Sequence, residues 1–132
     1  MITLTIRTDK PKAEVGLYRD DVQLAYDKWM AHRKLSGTIH SHINEVLQAA
    51  HLQLENIKSI VVFAGPGSFT GLRIGISVAN ALAYSLKIPI TGANSESWIM
   101  EGRQSLLSSE KNLSYSIVPE YGMPAHTTEP RK

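Results

Sequence analysis

The chain has 132 residues, of which 42% are hydrophobic and 20% charged, which is typical of one globular domain and not of a disordered segment. The formal net charge is only +2 and like charges do not cluster, so the composition does not support a dominant nucleic-acid footprint. Because cysteine is absent, a disulfide framework and a thiolate metal site are excluded. The charged, alternating N-terminus is not a signal peptide, and no apolar run reaches the length of a membrane span, which predicts a cytoplasmic protein.

The first 26 residues predict three strands joined by short connections. Apolar and polar side chains alternate from Ile2 to Arg7, and the alternation resumes over 13–18 and over 22–26. Consecutive strands with short polar turns between them favour an antiparallel meander.

Helical and strand patterns then follow in turn. After a loop over 34–38, in which Thr38 is the expected N-cap, the sequence predicts helices over 39–50, 70–86 and 95–107 and strands over 59–63 and 88–91. Helical crossovers favour parallel strands. We therefore expect an α/β lobe of the ribonuclease-H-like or actin-like type over residues 1–107, with a mixed five-stranded sheet and about three helices. The polar, proline-punctuated segment 108–132 is expected to form an irregular tail.

A glycine-rich loop, "GPGSFTGLRIG" over 65–75, stands where a strand becomes a helix. Backbone N–H groups at such a position can bind an anion. The loop is not a Walker A motif, because no Gly-Lys-Ser/Thr follows, and Thr70 stands where a dinucleotide fingerprint has its third glycine. A small nucleotide-binding or phosphotransfer enzyme using this loop stays open as the alternative function. Its candidate cofactor residues are Asp9, Gly65, Gly67 and Ser68.

The helix after this loop is apolar over an arc of roughly 220°, whereas a surface helix needs only about 100°. Within this arc small residues recur every four positions, which lets another helix approach closely. The small residues are Gly71, Gly75, Ala79 and Ala83. A neighbouring helix of the same chain could cover the second face, but the sequence favours a partner protein.

The histidines and serines do not form a recognisable catalytic or metal motif. His40 and His42 lie about 200° apart on a helix, since each residue turns the chain by about 100°. His42 and Glu45 share a face, but two ligands are too few for a metal site. Ser68 lacks the G-x-S-x-G setting of a nucleophile. The sequence thus predicts neither catalytic residues nor a metal site.

The motif from Gly65 to Gly75 resembles the signature of the TsaB (YeaZ) family, whose members take part in making threonylcarbamoyladenosine (t6A) in tRNA. The strand meander from Met1, the His40–Ser41 pair opening the first helix and the Ile-Pro-Ile after the long helix add to the resemblance, which covers roughly residues 1–107. It implies an actin-like ATPase-superfamily (ASKHA) fold and a non-catalytic scaffold.

The resemblance also implies partners. They are a TsaD-like catalytic subunit bound through the first two helices, a TsaE-like ATPase, a second copy when the chain is alone, and tRNA only through the complex. ATP and magnesium are expected only in that complex, with no intrinsic cofactor and no membrane contact. Combined with the small-residue pattern, it predicts partner-binding residues on both helices. They are Gly71, Leu72, Gly75, Ile76, Ala79 and Ala83 on the long helix, and Ile43 and Leu47 on the first helix.

The sequence also departs from the family pattern. A typical TsaB has two lobes, and this sequence is expected to provide only the first. The hairpin after Arg7 keeps Asp9 but lacks the glycines of an actin-type phosphate loop. Both departures argue against intrinsic ATPase or carbamoyl-transfer activity.

Overall fold

A computed structural model of the chain describes residues 1–31, 34–67 and 69–108. Most of the predicted tail and Ser68 lie outside these residues. The elements in chain order are β1 (Ile2–Arg7), β2 (Lys12–Arg19), β3 (Val22–Met30), α1 (Leu35–Ala49), a 3-10 turn (Leu54–Asn56), β4 (Ile57–Phe63), α2 (Phe69–Leu86), β5 (Ile90–Ala93) and α3 (Trp98–Ser108).

The five strands form one mixed sheet in the order β3-β2-β1-β4-β5. β1, β2 and β3 pair antiparallel, whereas β4 pairs parallel with both β1 and β5. In this register Leu4 lies beside Leu17 on one side and beside Ile60 on the other. The predicted α/β lobe of the ribonuclease-H-like or actin-like type, with its antiparallel meander, is therefore confirmed.

Helices pack against both faces of the sheet. α3 packs on the face that carries Val61 and Phe63: Gly102 contacts Val61 so closely that a Cβ would overlap it, and Trp98 meets the Phe63 ring edge-on at 6.1 Å. Side chains alternate between the faces of a strand, so Leu4 and Ile6 point the other way, toward the side that α1 and α2 cover. Among the described helices, none has both the length and the apolar character needed to cross a bilayer.

Two helices begin several residues away from the predicted positions: α1 begins earlier and α3 begins later. α1 begins at Leu35, inside the predicted loop, because Leu35 is buried one turn before Ile39 and continues the apolar stripe. Thr38 is therefore not an N-cap; its hydroxyl donates to the Lys34 carbonyl within the first turn. α3 begins at Trp98, three residues later than predicted. Just before the helix, the Ser95 hydroxyl accepts a hydrogen bond from the backbone N–H of Ser97.

Candidate functional site

The glycine loop closes directly onto the end of the first strand. Gly65 has a φ of 114° and is followed by a cis peptide bond to Pro66. A Cβ at Gly67 would lie 2.5 Å from the Cβ of Asp9, so only glycine allows the loop to approach this closely. Gly67 and Asp9, two members of the alternative cofactor site, are thus adjacent. The contact between Gly67 and Asp9 is close packing of the loop against the end of β1.

Asp9 is held in a buried ion pair with Arg7. The Arg7 Nε donates to Asp9 Oδ1 at 2.7 Å and its terminal nitrogen to Oδ2 at 3.2 Å, and both side chains are less than a tenth exposed. The hydrogen bond to Asp9 raises the pKa of the Arg7 guanidinium, although burial opposes that shift. Arg7 also lies 3.9 Å above the Phe63 ring. Both carboxylate oxygens of Asp9 therefore already accept hydrogen bonds from a cation of the same chain.

The N-terminal half of α2 is fixed to the residue that follows β1. The Thr8 hydroxyl donates to the Gly71 carbonyl at 2.7 Å. One turn later, a Cβ at Gly75 would overlap the Thr8 hydroxyl and lie 2.9 Å from its methyl carbon. The glycines at the start of α2 therefore let this helix pack tightly against the end of β1.

This packing places the partner-binding residues expected on α2 mainly inside the domain. Most of the small-residue ridge that the sequence assigns to a partner is buried in the chain's own domain, and so are Leu72 and Ile76 on one side of it. Leu72, Ile76, Ala79 and Ala83 are at most 2% exposed. A partner cannot contact these side chains while the domain is folded.

The predicted partner-binding residues of α1 are also buried. Ile43 and Leu47 are each 3% exposed and belong to the same hydrophobic core as Ile39 and Val46. The narrow stripe of α1 packs on β2 and β3, and Ile43 and Leu47 also border a groove next to Leu82 of α2. Nearly all of the surface of Ile43 and Leu47 is therefore covered by their own domain.

A different surface of the same two helices is accessible. A shallow depression between α1 and α2, which we call the α1–α2 face, is lined by Ser36, His40, Thr70, Arg73, Ile74, Ser77 and Val78. Ser36, His40, Arg73 and Ser77 are exposed, whereas Ile74 and Val78 are half-buried. The face therefore combines a polar rim with a partly exposed apolar row.

The apolar row continues along α2 into a second groove. Leu82 lies one turn beyond Val78 and lines this groove together with His40, Asn44 and Leu54. Leu54, in the 3-10 turn before β4, is 38% exposed. Apolar side chains thus remain accessible along the length of α2 on the side next to α1.

A polar cluster lies on the other side of α1, where this helix packs on β3. The His42 ring stacks on Trp29 with centroids 3.8 Å apart and planes 8° from parallel. His42 Nδ1 lies 2.5 Å from Asp27 Oδ2 and 3.5 Å from Glu45 Oε1. Sequence reasoning missed Asp27, although Asp27 and Trp29 are two apart on a strand and must share a face.

The comparisons with known proteins point to one family. The family model described as "TsaD: tRNA N6-adenosine threonylcarbamoyltransferase" matches residues 29–111. The tRNA threonylcarbamoyladenosine biosynthesis protein TsaB of Bacillus subtilis is 32% identical over 97 residues, which are 72% of this chain and 42% of that protein. A tRNA N6-adenosine threonylcarbamoyltransferase of Geotalea uraniireducens is 46% identical over 65 residues, 49% of this chain and 19% of that protein.

A solved structure with the same fold is YeaZ from Pseudomonas aeruginosa, with a TM-score of 0.68, 22% identity and coverage of 83% of this chain and 50% of that one. The matched region thus spans at most about half the length of these relatives. The family model covers α1, β4, α2, β5 and α3, which are the elements that carry the glycine loop and the α1–α2 face. The chain therefore belongs to the TsaD-related family of t6A proteins, as a member of its TsaB (YeaZ) branch.

Proposed function

We propose that this chain is a non-catalytic partner that binds a TsaD-like catalytic subunit and supports t6A modification of tRNA. The relatives named TsaB and TsaD support this context. The observation that carries the proposal is the α1–α2 face, whose apolar row stays partly exposed after the chain has built its own core.

The location of this face fits pairing between two related lobes. The family model matches the α1–α2 region, so a TsaD-like subunit is expected to present a similar pair of helices. Two similar surfaces can pack about an approximate two-fold axis, as identical surfaces do in a symmetric dimer. The row Ile74, Val78 and Leu82 would then lie in the centre of a four-helix contact, with Arg73 and Ser77 toward its rim. In the absence of the catalytic subunit, two copies of this chain would pair through the same face.

The buried pair of Arg7 and Asp9 supports the non-catalytic part of the proposal. A carboxylate that must bind magnesium needs an accessible oxygen, whereas Asp9 is covered by Gly67 and accepts two hydrogen bonds from Arg7. ATP, magnesium, a TsaE-like ATPase and tRNA would then associate with the complex and not with this chain alone.

Pairing is tested by placing a charge in the α1–α2 face. Ser77 is exposed beside Val78, so Ser77→Arg leaves the core intact but places a long cation in the contact. The matched control is Ser105→Arg, which makes the same change at an exposed position of α3. We expect Ser77→Arg to weaken binding to the organism's TsaD-like subunit at least about tenfold, roughly 1.4 kcal/mol, and Ser105→Arg to leave it unchanged.

Binding is measured by calorimetry and co-purification, with circular dichroism to verify that both variants fold. If folded Ser77→Arg binds as tightly as the parent chain while Ser105→Arg does not, the contact lies on α3 and the proposed face is wrong.

A further inference from the structure

Three metal-ligating side chains meet where α1 packs on β3. Asp27 comes from β3, and His42 and Glu45 lie one turn apart on α1. One ligand atom from each side chain lies within 4.8 Å of the other two. The side chains of His42, Asp27 and Glu45 are 20%, 28% and 62% exposed, so the cluster is anchored in the fold and open to solvent on one side.

The donor set is one that zinc prefers. One imidazole nitrogen and two carboxylate oxygens bind Zn²⁺ at about 2.0–2.2 Å, which places neighbouring donors of a tetrahedral site about 3.3 Å apart. The 3.5 Å between His42 Nδ1 and Glu45 Oε1 already matches this spacing. The 2.5 Å between His42 Nδ1 and Asp27 Oδ2 is a hydrogen bond, so the Asp27 carboxylate must move outward by a small side-chain rotation when an ion enters.

The surrounding residues fix the orientation of the imidazole. The Trp29 ring stacks against it, and the Trp29 Nε1 donates to the Thr38 hydroxyl at 3.1 Å. Thr38 in turn donates to the Lys34 carbonyl in the first turn of α1. Contacts that hold a ligating ring in place reduce the ordering that metal binding requires, and such outer contacts change metal affinity by about 10–100-fold.

We propose that Asp27, His42 and Glu45 form a binding site for a divalent transition-metal ion of the Zn²⁺ class. The ion binds the lone pair of His42 Nδ1 in the neutral tautomer that carries its proton on Nε2, any proton on Nδ1 being released to water, and the two carboxylates balance the charge of the ion. Three protein donors leave a coordination position for water. The bound ion joins β3 to α1, so it stabilises the folded chain and the helix that borders the α1–α2 face.

The test titrates Zn²⁺ alone into the full chain after chelator treatment, using calorimetry and Trp fluorescence. Glu45 is mostly exposed, so Glu45→Gln removes one donor without disturbing the core. Glu55→Gln is the matched control at another exposed glutamate, and His40→Gln is the control for an exposed histidine of α1. We expect one ion per chain, at least about tenfold weaker binding in Glu45→Gln and in His42→Gln, and unchanged binding in both controls.

The fold gives a second readout. Zn²⁺ should raise the unfolding temperature of the parent chain and change the fluorescence of Trp29, which touches His42. Trp29→Phe should keep the ion but lose most of the fluorescence change, because Trp98 is buried in the core. If the parent chain binds no stoichiometric Zn²⁺, or if Glu45→Gln and Glu55→Gln bind it equally, the three residues are only a hydrogen-bonded cluster and the proposal is overturned.

Discussion

At Gly75, the missing side chain determines how closely α2 approaches the end of β1. Thr8 occupies the space where a Cβ would stand, and its hydroxyl is already bound to the Gly71 carbonyl, so it cannot rotate away without losing a hydrogen bond. The spacing of the small residues predicted the close approach of another helix, whereas the close contact at Gly75 is with Thr8. It could not identify Thr8, which lies 63 residues from Gly71 along the chain, as the contact.

Gly75→Ala is therefore expected to destabilise the domain itself. Overpacking of this kind costs about 1–3 kcal/mol, which exceeds the helix-propensity gain of about 1 kcal/mol for replacing glycine by alanine. Gly37→Ala is the matched control, because Gly37 lies in α1 with nothing within 4 Å of a Cβ, and it should be neutral or slightly stabilising. Urea unfolding of both variants measures the difference; equal stability would mean that Thr8 does not restrict Gly75.

Which side of α2 faces the sheet depends on the elements packed around it. The sequence of the helix alone could not define this side. Periodicity and short apolar runs were sufficient to predict the five strands and three α-helices of the described residues. In α2 apolar residues surround most of the helix, so no single stripe distinguishes the core side from the partner side. The contacts of Gly75 and Leu72 with the rest of the domain decide it.

Two neighbouring isoleucines test this orientation. Ile76 is 2% exposed, whereas Ile74 is half-buried and lines the α1–α2 face. Ile76→Ala should lower the free energy of unfolding by about 2–5 kcal/mol because it leaves a cavity in the core. Ile74→Ala should cost only about 1 kcal/mol but should weaken binding to a TsaD-like subunit.

Denaturant midpoints and calorimetric affinities separate these two effects. The reverse pattern, with Ile74→Ala the more destabilised variant and Ile76→Ala the weaker binder, would place the partner contact at Ile76, among the residues first expected to bind it.

On the scale of the whole molecule, the carboxyl ends of the parallel strands meet at one edge of the sheet. Ligands of open α/β sheets bind in the crevice outside this edge. Here β1 ends at Arg7 and β4 at Phe63, and Arg7 spans the two by pairing with Asp9 and covering the Phe63 ring. The sequence grouped Asp9 and the glycine loop only as an alternative cofactor site, and in the fold Gly67 packs on Asp9. It did not predict that Arg7 would neutralise Asp9, because arginine next to a strand end carries no distinctive pattern.

Because Arg7 and Gly67 occupy this edge of the sheet, we expect the chain alone to bind nucleotide weakly. The purified chain should bind Mg-ATP no tighter than about 10 μM, a free energy near −7 kcal/mol, because Gly67 packs on Asp9 and Arg7 holds both of its carboxylate oxygens. Calorimetry on the chain alone measures this, with its complex with a TsaD-like subunit as the positive comparison. Asp9→Asn provides the decisive control, since asparagine keeps the size of the side chain and one acceptor for Arg7. Submicromolar binding by the parent chain that Asp9→Asn removes would mean that the ion pair opens for magnesium, and the glycine loop would then be a nucleotide site.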